Sequence, residues 1–147
     1  MHLRVISRVI SPQQADLIAS KVGPREFFEE DIIDITSLVQ SLVPVDLTFP
    51  SYCCVESKPD GHGWHTDRGN NGHMPWCDYS VSVLLSEPTK FTGGSFRTRD
   101  KSYVHYRDML IYSNMVEHCV DPHEGDRKVL LMFLKKLSIT QDNVRGV

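Results

Sequence analysis

The short stretch from Gly61 to Asp67 contains, two positions apart, a histidine and an aspartate, which are residue types that often bind metals. On a β-strand, residues i and i+2 project from the same face, so His65 and Asp67 point together. One ion bound by both needs a third protein ligand, and His118 is the candidate further along the chain. Two histidines and one carboxylate leave the opposite positions open, which is the ligand set of mononuclear non-haem iron(II) sites.

Arg127 is the second residue with predicted chemistry, because it follows His118 and enters the apolar segment 129–134. An unpaired charge in such surroundings is very unfavourable. A bound dicarboxylate would supply the partner, since a guanidinium binds a carboxylate through two parallel hydrogen bonds. The alternative is an arginine at the strand edge that pairs with Asp126 or with water.

Two helices are predicted before these residues. Ser11 suits an N-cap and Pro12 the first helical position. This helix is expected to end near Val22, because a Gly-Pro pair follows it. A second helix is predicted over about 35–42, where apolar residues recur at helical spacing, and Pro44 stops it. Both helices are expected to pack outside a sheet.

From residue 45 onward, short β segments alternate with Gly, Pro, Asn and Asp. This spacing predicts a β-sandwich or barrel. A Gly- and Asn-rich loop from Arg68 to Pro75 directly follows Asp67 and is expected to contact substrate. Gly93 and Gly94 form a predicted tight turn. The strands are expected near 47–56, 62–66, 77–86, 95–99, 102–106, 109–113, 117–120 and 127–137.

The bulk properties predict one soluble domain. The chain has 147 residues and a net charge of −3. It has no long apolar run and no block of like charges, so neither a membrane span nor nucleic-acid binding is expected. The N-terminus lacks the features of a signal peptide, and a cytoplasmic location is expected. The four cysteines are expected to be buried free thiols.

The order of these motifs resembles that of a known superfamily. His65-x-Asp67, then Gly93-Gly94, then His118 and finally Arg127 are similar to the Fe(II)- and 2-oxoglutarate-dependent oxygenases, and most of all to the prolyl-4-hydroxylase type. The segments 108–112 and 118–127 look like the C-terminal half of that family. The resemblance runs from about residue 51 to residue 137.

The resemblance implies a mainly β fold, a double-stranded β-helix (a jelly-roll or cupin-like barrel) with one or two supporting N-terminal helices. The expected single domain, 1–147, has a helical support over 1–45, a barrel core over 46–137 and a short tail over 138–147. It further implies His65, Asp67 and His118 as catalytic iron ligands, with Arg127 binding the distal carboxylate of 2-oxoglutarate. Fe(II), 2-oxoglutarate and O2 are the implied cofactors, with ascorbate as a candidate reductant.

The sequence also departs from the family pattern. Many relatives place a tyrosine on a central strand beside the arginine, where this chain has Leu84. Ser82, on the same face, and Tyr52 are the two alternatives for a second carboxylate-binding group. Trp64 and Trp76 are expected in the core, and Arg97 and Arg99 on a solvated strand face. Four further histidines lack the spacing of the three proposed ligands and are not expected to bind metal: His62, His73, His105 and His123.

Several functions fit these residues. The leading one is hydroxylation of a peptide, protein or small amino-acid-like substrate, with a prolyl side chain expected first. Demethylation of nucleic-acid bases uses the same chemistry, but those relatives carry a second arginine after the last histidine, and this chain has none there. A non-oxidative, cupin-like binding barrel or sensor is a further alternative. A zinc hydrolase would use an open three-ligand site but leaves Arg127 unexplained.

Overall fold

The computed structural model describes residues 3–43, 47–67, 74 and 76–136. This part of the chain is mainly β, as predicted, with two α-helices and a short 3-10 helix, Pro88–Lys90. The α-helices are α1 Pro12–Ala19 and α2 Ile33–Leu42. The strands are β1 Leu3–Ile6, β2 Gly23–Arg25, β3 Leu47–Glu56, β4 His62–His65, β5 Tyr79–Leu84, β6 Phe91–Gly93, β7 Phe96–Arg97, β8 Ser102–Tyr103, β9 Met109–Ser113, β10 His118–Val120, β11 His123–Gly125 and β12 Val129–Lys136.

Two antiparallel sheets carry the architecture. The larger has the strand order β1-β9-β5-β12-β3-β2, and the smaller the order β4-β10-β7-β8. β6 and β11 form a separate pair. The chain crosses repeatedly between the two large sheets, with β3, β5, β9 and β12 in one and β4, β7, β8 and β10 in the other, which is the arrangement of a jelly roll.

The larger sheet separates the main core from an inner cavity. Successive side chains of each strand point to opposite faces of the sheet. On the face away from the cavity, five side chains are fully buried: Val81, Val83, Ile111, Leu130 and Met132. They pack in one cluster with residues of both helices, including Ile18, Ile35 and Val39. The helices therefore support the outside of the sheet, as predicted. The opposite face looks toward the smaller sheet and is free to build a site.

Helix α1 begins where the sequence predicted and ends earlier. The Ser11 hydroxyl accepts a hydrogen bond from the backbone N–H of Gln14 at 3.0 Å. The end near Val22 is wrong, because α1 stops at Ala19, where the Ser20 hydroxyl donates to the Leu17 carbonyl at 2.6 Å. The chain then pairs β2 with β3. Helix α2 starts slightly before the predicted residue 35.

Each of the eight predicted strands overlaps an observed strand, but most were predicted longer than they are. The bounds expected for β3 and β9 match those observed. The short strands β1, β2, β6 and β11 were not predicted, and two of them lie in the N-terminal segment expected to be helical. The loop calls over 68–73 and 75, the stop at Pro44 and the tail over 138–147 lie outside the described residues. None of the described helices is long and apolar enough to cross a bilayer.

Candidate active site

Neighbouring strands of the smaller sheet bring the three predicted metal ligands together. β4 and β10 are antiparallel, with His65 directly opposite His118. Asp67 lies just beyond the end of β4. The predicted strand over 62–66 is therefore slightly too long, but the carboxylate still reaches the two rings. One potential ligand atom from each of the three side chains lies within 4.8 Å of the others.

Hydrogen bonds orient both imidazoles. Nδ1 of His65 donates to the Gly63 carbonyl at 2.6 Å, and Nδ1 of His118 donates to the Val116 carbonyl at 2.9 Å. Each ring therefore turns its Nε2 toward the centre of the cluster. Donation of the second ring N–H to a backbone carbonyl is the usual way in which proteins fix a metal-binding histidine.

The Nε2 atoms of both rings converge on a single oxygen. Oδ1 of Asp67 lies 3.3 Å from Nε2 of His65 and 3.2 Å from Nε2 of His118. In neutral rings that already donate through Nδ1, both Nε2 atoms carry lone pairs, which would repel the carboxylate. A cation among the three atoms, or protonation of the rings, removes this repulsion. The donor set of two imidazoles and one carboxylate fits a divalent iron ion.

The electrostatics agree with this arrangement. Burial alone would raise the pKa of Asp67, but hydrogen bonds from His118 and His65, which these rings donate through Nε2 when protonated, outweigh it and hold the pKa well below its ordinary value. The hydrogen bond to Asp67 raises the pKa of His65 against the opposing effect of burial. Asp67 and His118 are buried, whereas His65 is half-buried. The cluster is thus closed on one side and accessible on the other.

Two aromatic side chains that the sequence did not single out hold His118 in place. Phe96 of β7 stacks on the imidazole, with ring centroids 4.8 Å apart and an interplanar angle of 11°. Tyr112 of β9 meets it edge-on at 5.1 Å. Burial, together with the nearby Asp67 carboxylate, raises the pKa of Tyr112 well above its ordinary value. No sequence spacing connects these residues to His118, because they come from other strands.

A cavity of about 450 Å³ extends from the cluster between the two sheets. Its volume is in the range that binds small molecules. Its lining joins residues of both sheets: Tyr52, Cys54, Glu56, Lys58, His62, His65, Thr66, Asp67, Met74, Ser82, Phe96, Tyr112, His118, Val120, Arg127, Val129, Leu131 and Phe133.

Arg127 lines this cavity and is almost fully buried, with 4% of its surface exposed. Its Nε has no hydrogen-bond partner within the described part of the chain. Burial lowers the pKa of Arg127, and the charge of Glu56 only partly opposes the shift. The alternative partner Asp126 pairs with Lys128 at 2.8 Å instead. A buried guanidinium with an unsatisfied donor fits an anionic ligand.

The two glycines of the predicted turn make room for the site. Gly93 and Gly94 both have positive φ, at 76° and 72°. A Cβ on Gly94 would lie 2.5 Å from Cδ and 2.7 Å from Nε of Arg127. A Cβ on Gly93 would collide with the backbone carbonyl of Pro122. The absence of side chains here lets the backbone lie directly against the guanidinium.

The two candidates for a second carboxylate-binding group differ in position. Ser82 lines the cavity with 2% of its surface exposed, and its hydroxyl lies 2.8 Å from Nε2 of His105. Tyr52 is 41% exposed and lies parallel to Phe133, with ring centroids 6.2 Å apart. The depth of Ser82 favours it as a partner of Arg127.

The remaining singled-out residues lie outside the three-ligand cluster. Within the described residues, His65, Asp67 and His118 form the only group of three or more potential ligand side chains close enough to share a metal ion. His62 pairs with Glu56 at 3.3 Å, and His73 lies outside the described residues. His123 is buried next to Gly94, outside the three-ligand cluster. All four cysteines are buried free thiols, as predicted.

The expectation for Trp64 is wrong. This side chain is 37% exposed, and the guanidinium of Arg99 lies 3.8 Å from the centroid of its ring system. Arg97 and Arg99 form the expected solvated face and pair with Asp121 and Glu117. Trp64 joins this face because it alternates with His65 on β4.

The comparisons with known proteins support the fold at low sequence identity. The sequence matches no protein-family model and no curated protein. A 2OG-Fe(II) oxygenase family member from Burkholderia pseudomallei aligns with TM-score 0.58 and 13% identity, over 90% of this chain and 84% of that chain. A 2OG complex of the viral collagen prolyl hydroxylase from Paramecium Bursaria Chlorella virus-1 gives TM-score 0.67 and 10% identity, over 94% and 97% of the two chains.

A third structure is a prolyl hydroxylase in complex with a hypoxia inducible factor oxygen degradation domain peptide fragment from Trichoplax adhaerens. It aligns with TM-score 0.65 and 12% identity, over 99% of this chain and 87% of that chain. Identities this low establish the fold alone. The chain has the double-stranded β-helix fold of the 2-oxoglutarate- and iron-dependent oxygenases and the prolyl 4-hydroxylases. The resemblance drawn from the sequence is confirmed at this level.

Proposed function

We propose that this protein is an Fe(II)- and 2-oxoglutarate-dependent dioxygenase that hydroxylates an unactivated C–H bond and releases succinate and CO2. One observation carries the proposal. Two imidazole Nε2 atoms face one buried carboxylate oxygen in the same cavity as a buried guanidinium with an unsatisfied donor. The fold is one in which this chemistry is known, and it adds support.

In this proposal His65, Asp67 and His118 hold the iron. Their backbone hydrogen bonds keep both rings in the tautomer that offers Nε2. Asp67 contributes the negative charge, which its depressed pKa maintains at neutral pH. When bound, the iron with 2-oxoglutarate and O2 supplies the oxidising chemistry, and ascorbate is the candidate reductant.

Arg127 is the proposed binding group for the distal carboxylate of 2-oxoglutarate. Its burial removes competing water, which strengthens the attraction between guanidinium and carboxylate. Ser82 is the proposed second group, since its hydroxyl lines the same cavity at depth. The contact between Gly94 and the side chain of Arg127 fixes where the guanidinium can lie.

The proposed substrate is a prolyl or other amino-acid side chain of a peptide or protein. The half-buried His65 marks the accessible side of the metal cluster. Tyr52 and Phe133 both line the cavity, and Tyr52 is exposed, so an apolar ring can pack beside them. The peptide complex of the Trichoplax adhaerens enzyme supports a peptide as the substrate class.

The alternatives explain fewer of these contacts. A base demethylase is disfavoured because the position six residues after Arg127, where those enzymes have a second arginine, holds Phe133, which lines the cavity. A zinc hydrolase or a non-oxidative binding barrel can use the same three ligands. Neither requires a buried guanidinium with a free donor beside the metal site.

Turnover of labelled 2-oxoglutarate tests the proposal. We expect CO2 release from 2-oxoglutarate labelled at C1 to require Fe(II) and to increase with a prolyl peptide that gains one oxygen atom by mass spectrometry. His118→Ala should abolish both iron binding and CO2 release. The matched control is His62→Ala, which removes a neighbouring histidine outside the three ligands and should retain iron. Full activity in His118→Ala would contradict the assignment.

A further inference from the structure

Ser82, the proposed second carboxylate-binding group, has a buried polar partner, His105, to which the proposed site gives no role so far. Ser82 of β5 and His105, which lies between β8 and β9, are 2% and 3% exposed. The Ser82 hydroxyl and Nε2 of His105 are 2.8 Å apart. Buried polar groups are costly unless they are hydrogen-bonded. Ser82 lines the cavity, so the way in which His105 satisfies its hydroxyl determines what the serine can offer a ligand.

His105 is neutral in this environment. Burial is the main cause that lowers its pKa to about 3, and the positive charge of Arg127 adds to the effect. A neutral imidazole carries a single N–H, on one nitrogen only. The position of that proton decides the direction of the hydrogen bond to Ser82.

Two tautomers are available, and they differ in what Ser82 offers the cavity. If Nδ1 carries the proton, Nε2 accepts from the Ser82 hydroxyl, and the serine presents only lone pairs. Nδ1 has no hydrogen-bond partner within the described residues, so this tautomer also buries an unpaired N–H. If Nε2 carries the proton, it donates to Ser82, and the hydroxyl proton is free to point elsewhere.

A carboxylate selects between these tautomers. A carboxylate only accepts hydrogen bonds, so Ser82 can bind one only by donating its own proton. That donation requires His105 to donate to Ser82 rather than accept from it. The charge of Arg127, which lines the same cavity, identifies where a carboxylate would lie.

We propose that His105 is a positioning residue that donates from Nε2 to Ser82, so that the Ser82 hydroxyl and the Arg127 guanidinium together bind the distal carboxylate of 2-oxoglutarate. The inference rests on the proposed function and deepens it.

The surroundings of His105 hold it for this role. The ring of Phe96 meets the imidazole nearly at right angles, with centroids 5.9 Å apart and an interplanar angle of 74°. The backbone carbonyl of His105 accepts from the N–H of Asp108 at 3.0 Å, which closes a turn before β9. Phe96 also stacks on His118, so one ring positions both histidines.

Two substitutions whose side chains have similar length, His105→Gln and His105→Met, test the role of His105. Glutamine can place an N–H donor near the position of Nε2, whereas methionine has nearly the same shape and no donor. We expect His105→Met to weaken 2-oxoglutarate binding about three- to tenfold, the range for one neutral hydrogen bond. His105→Gln should retain most of the affinity. Binding is measured by calorimetry without oxygen on the Mn(II)-loaded protein, and metal affinity should be equal in all variants.

A double substitution separates a positioning role from an independent one. Ser82→Ala should weaken binding by a similar factor. If His105 acts through Ser82, adding His105→Met to Ser82→Ala should cause no further loss. Multiplied losses, or an unchanged affinity in His105→Met, would overturn the inference and leave the proposed function intact. If the wild-type protein does not bind 2-oxoglutarate, the proposed function fails as well.

The tautomer itself can be observed without any variant. Nitrogen NMR of the isotope-labelled protein loaded with Zn(II) and 2-oxoglutarate should show Nε2 of His105 protonated and Nδ1 unprotonated. A protonated Nδ1 in that complex would overturn the inference.

Discussion

The substitution Gly94→Ala should displace the side chain of Arg127 directly. The added methyl carbon would lie 2.5 Å from Cδ and 2.7 Å from Nε of the arginine. Real Cβ atoms do not approach other heavy atoms so closely, so the side chain must move. The φ of Gly94 is +72°, and an alanine there costs about 1–2 kcal/mol in folding free energy.

The expected effect on ligand binding is larger than the effect on folding. A hydrogen bond to a charged group contributes about 1.5–3 kcal/mol. Loss of one such bond from a displaced Arg127 should raise the Kd for 2-oxoglutarate about ten- to a hundredfold. The assay is anaerobic titration of the Fe(II)-loaded protein with 2-oxoglutarate, with urea unfolding measured alongside.

Gly23→Ala is the matched control. Gly23 also has a positive φ, +113°, but no other atom lies within 4 Å of its missing Cβ. This variant should therefore show the backbone strain alone, with unchanged affinity for 2-oxoglutarate. If Gly94→Ala binds 2-oxoglutarate as tightly as Gly23→Ala does, the glycine does not control the position of Arg127, and the reasoning is refuted.

Three further predictions test other contacts. Trp64→Ala should lower the free energy of unfolding by about 0.5–1 kcal/mol through loss of the Arg99 contact, with unchanged iron affinity; a loss of iron would contradict the outward position of this ring. Because the pKa of Asp67 is depressed in the folded protein, its ionised carboxylate stabilises the metal-free fold at pH values above 3.8, the ordinary pKa of this group. This stabilisation is lost as the pH falls below 3.8 and the carboxylate is protonated. The difference in unfolding free energy between wild type and Asp67→Asn should therefore shrink below about pH 4, and a constant difference would exclude this linkage. Burial raises the pKa of Cys53 to about 12, so its alkylation at neutral pH should require unfolding, and rapid labelling of the native protein would argue against its burial.

The sequence predicted what local spacing determines. His65 and Asp67 are close in sequence, and the period of a strand is enough to place them on one side. The long strands β3 and β9 were found because apolar residues run through them and turn residues bound them. The start of α1 was found because Ser11 caps it in the expected way.

The sequence did not predict what depends on contacts between distant segments. Gly94 was read as a turn residue, and its contact with Arg127 exists only after folding. His105 reaches Ser82 from the connection between β8 and β9, 23 residues along the chain, so no spacing could indicate the pair. Trp64 was predicted to lie in the core because of its residue type. Its side chain instead lies on the solvated face of β4, where the guanidinium of Arg99 covers its ring. The edge strand β1 is only four residues long and carries no usable pattern.

The most direct test of the proposed oxygenase function is an anaerobic titration of the protein with Fe(II) and then 2-oxoglutarate. The account predicts a weak visible charge-transfer band when the keto acid joins the iron, and loss of that band when oxygen is admitted. Arg127→Ala should bind iron but require much more 2-oxoglutarate to form the band. If iron binds to the wild-type protein and 2-oxoglutarate gives no band, the oxygenase assignment is contradicted, and a non-oxidative metal site becomes the better explanation.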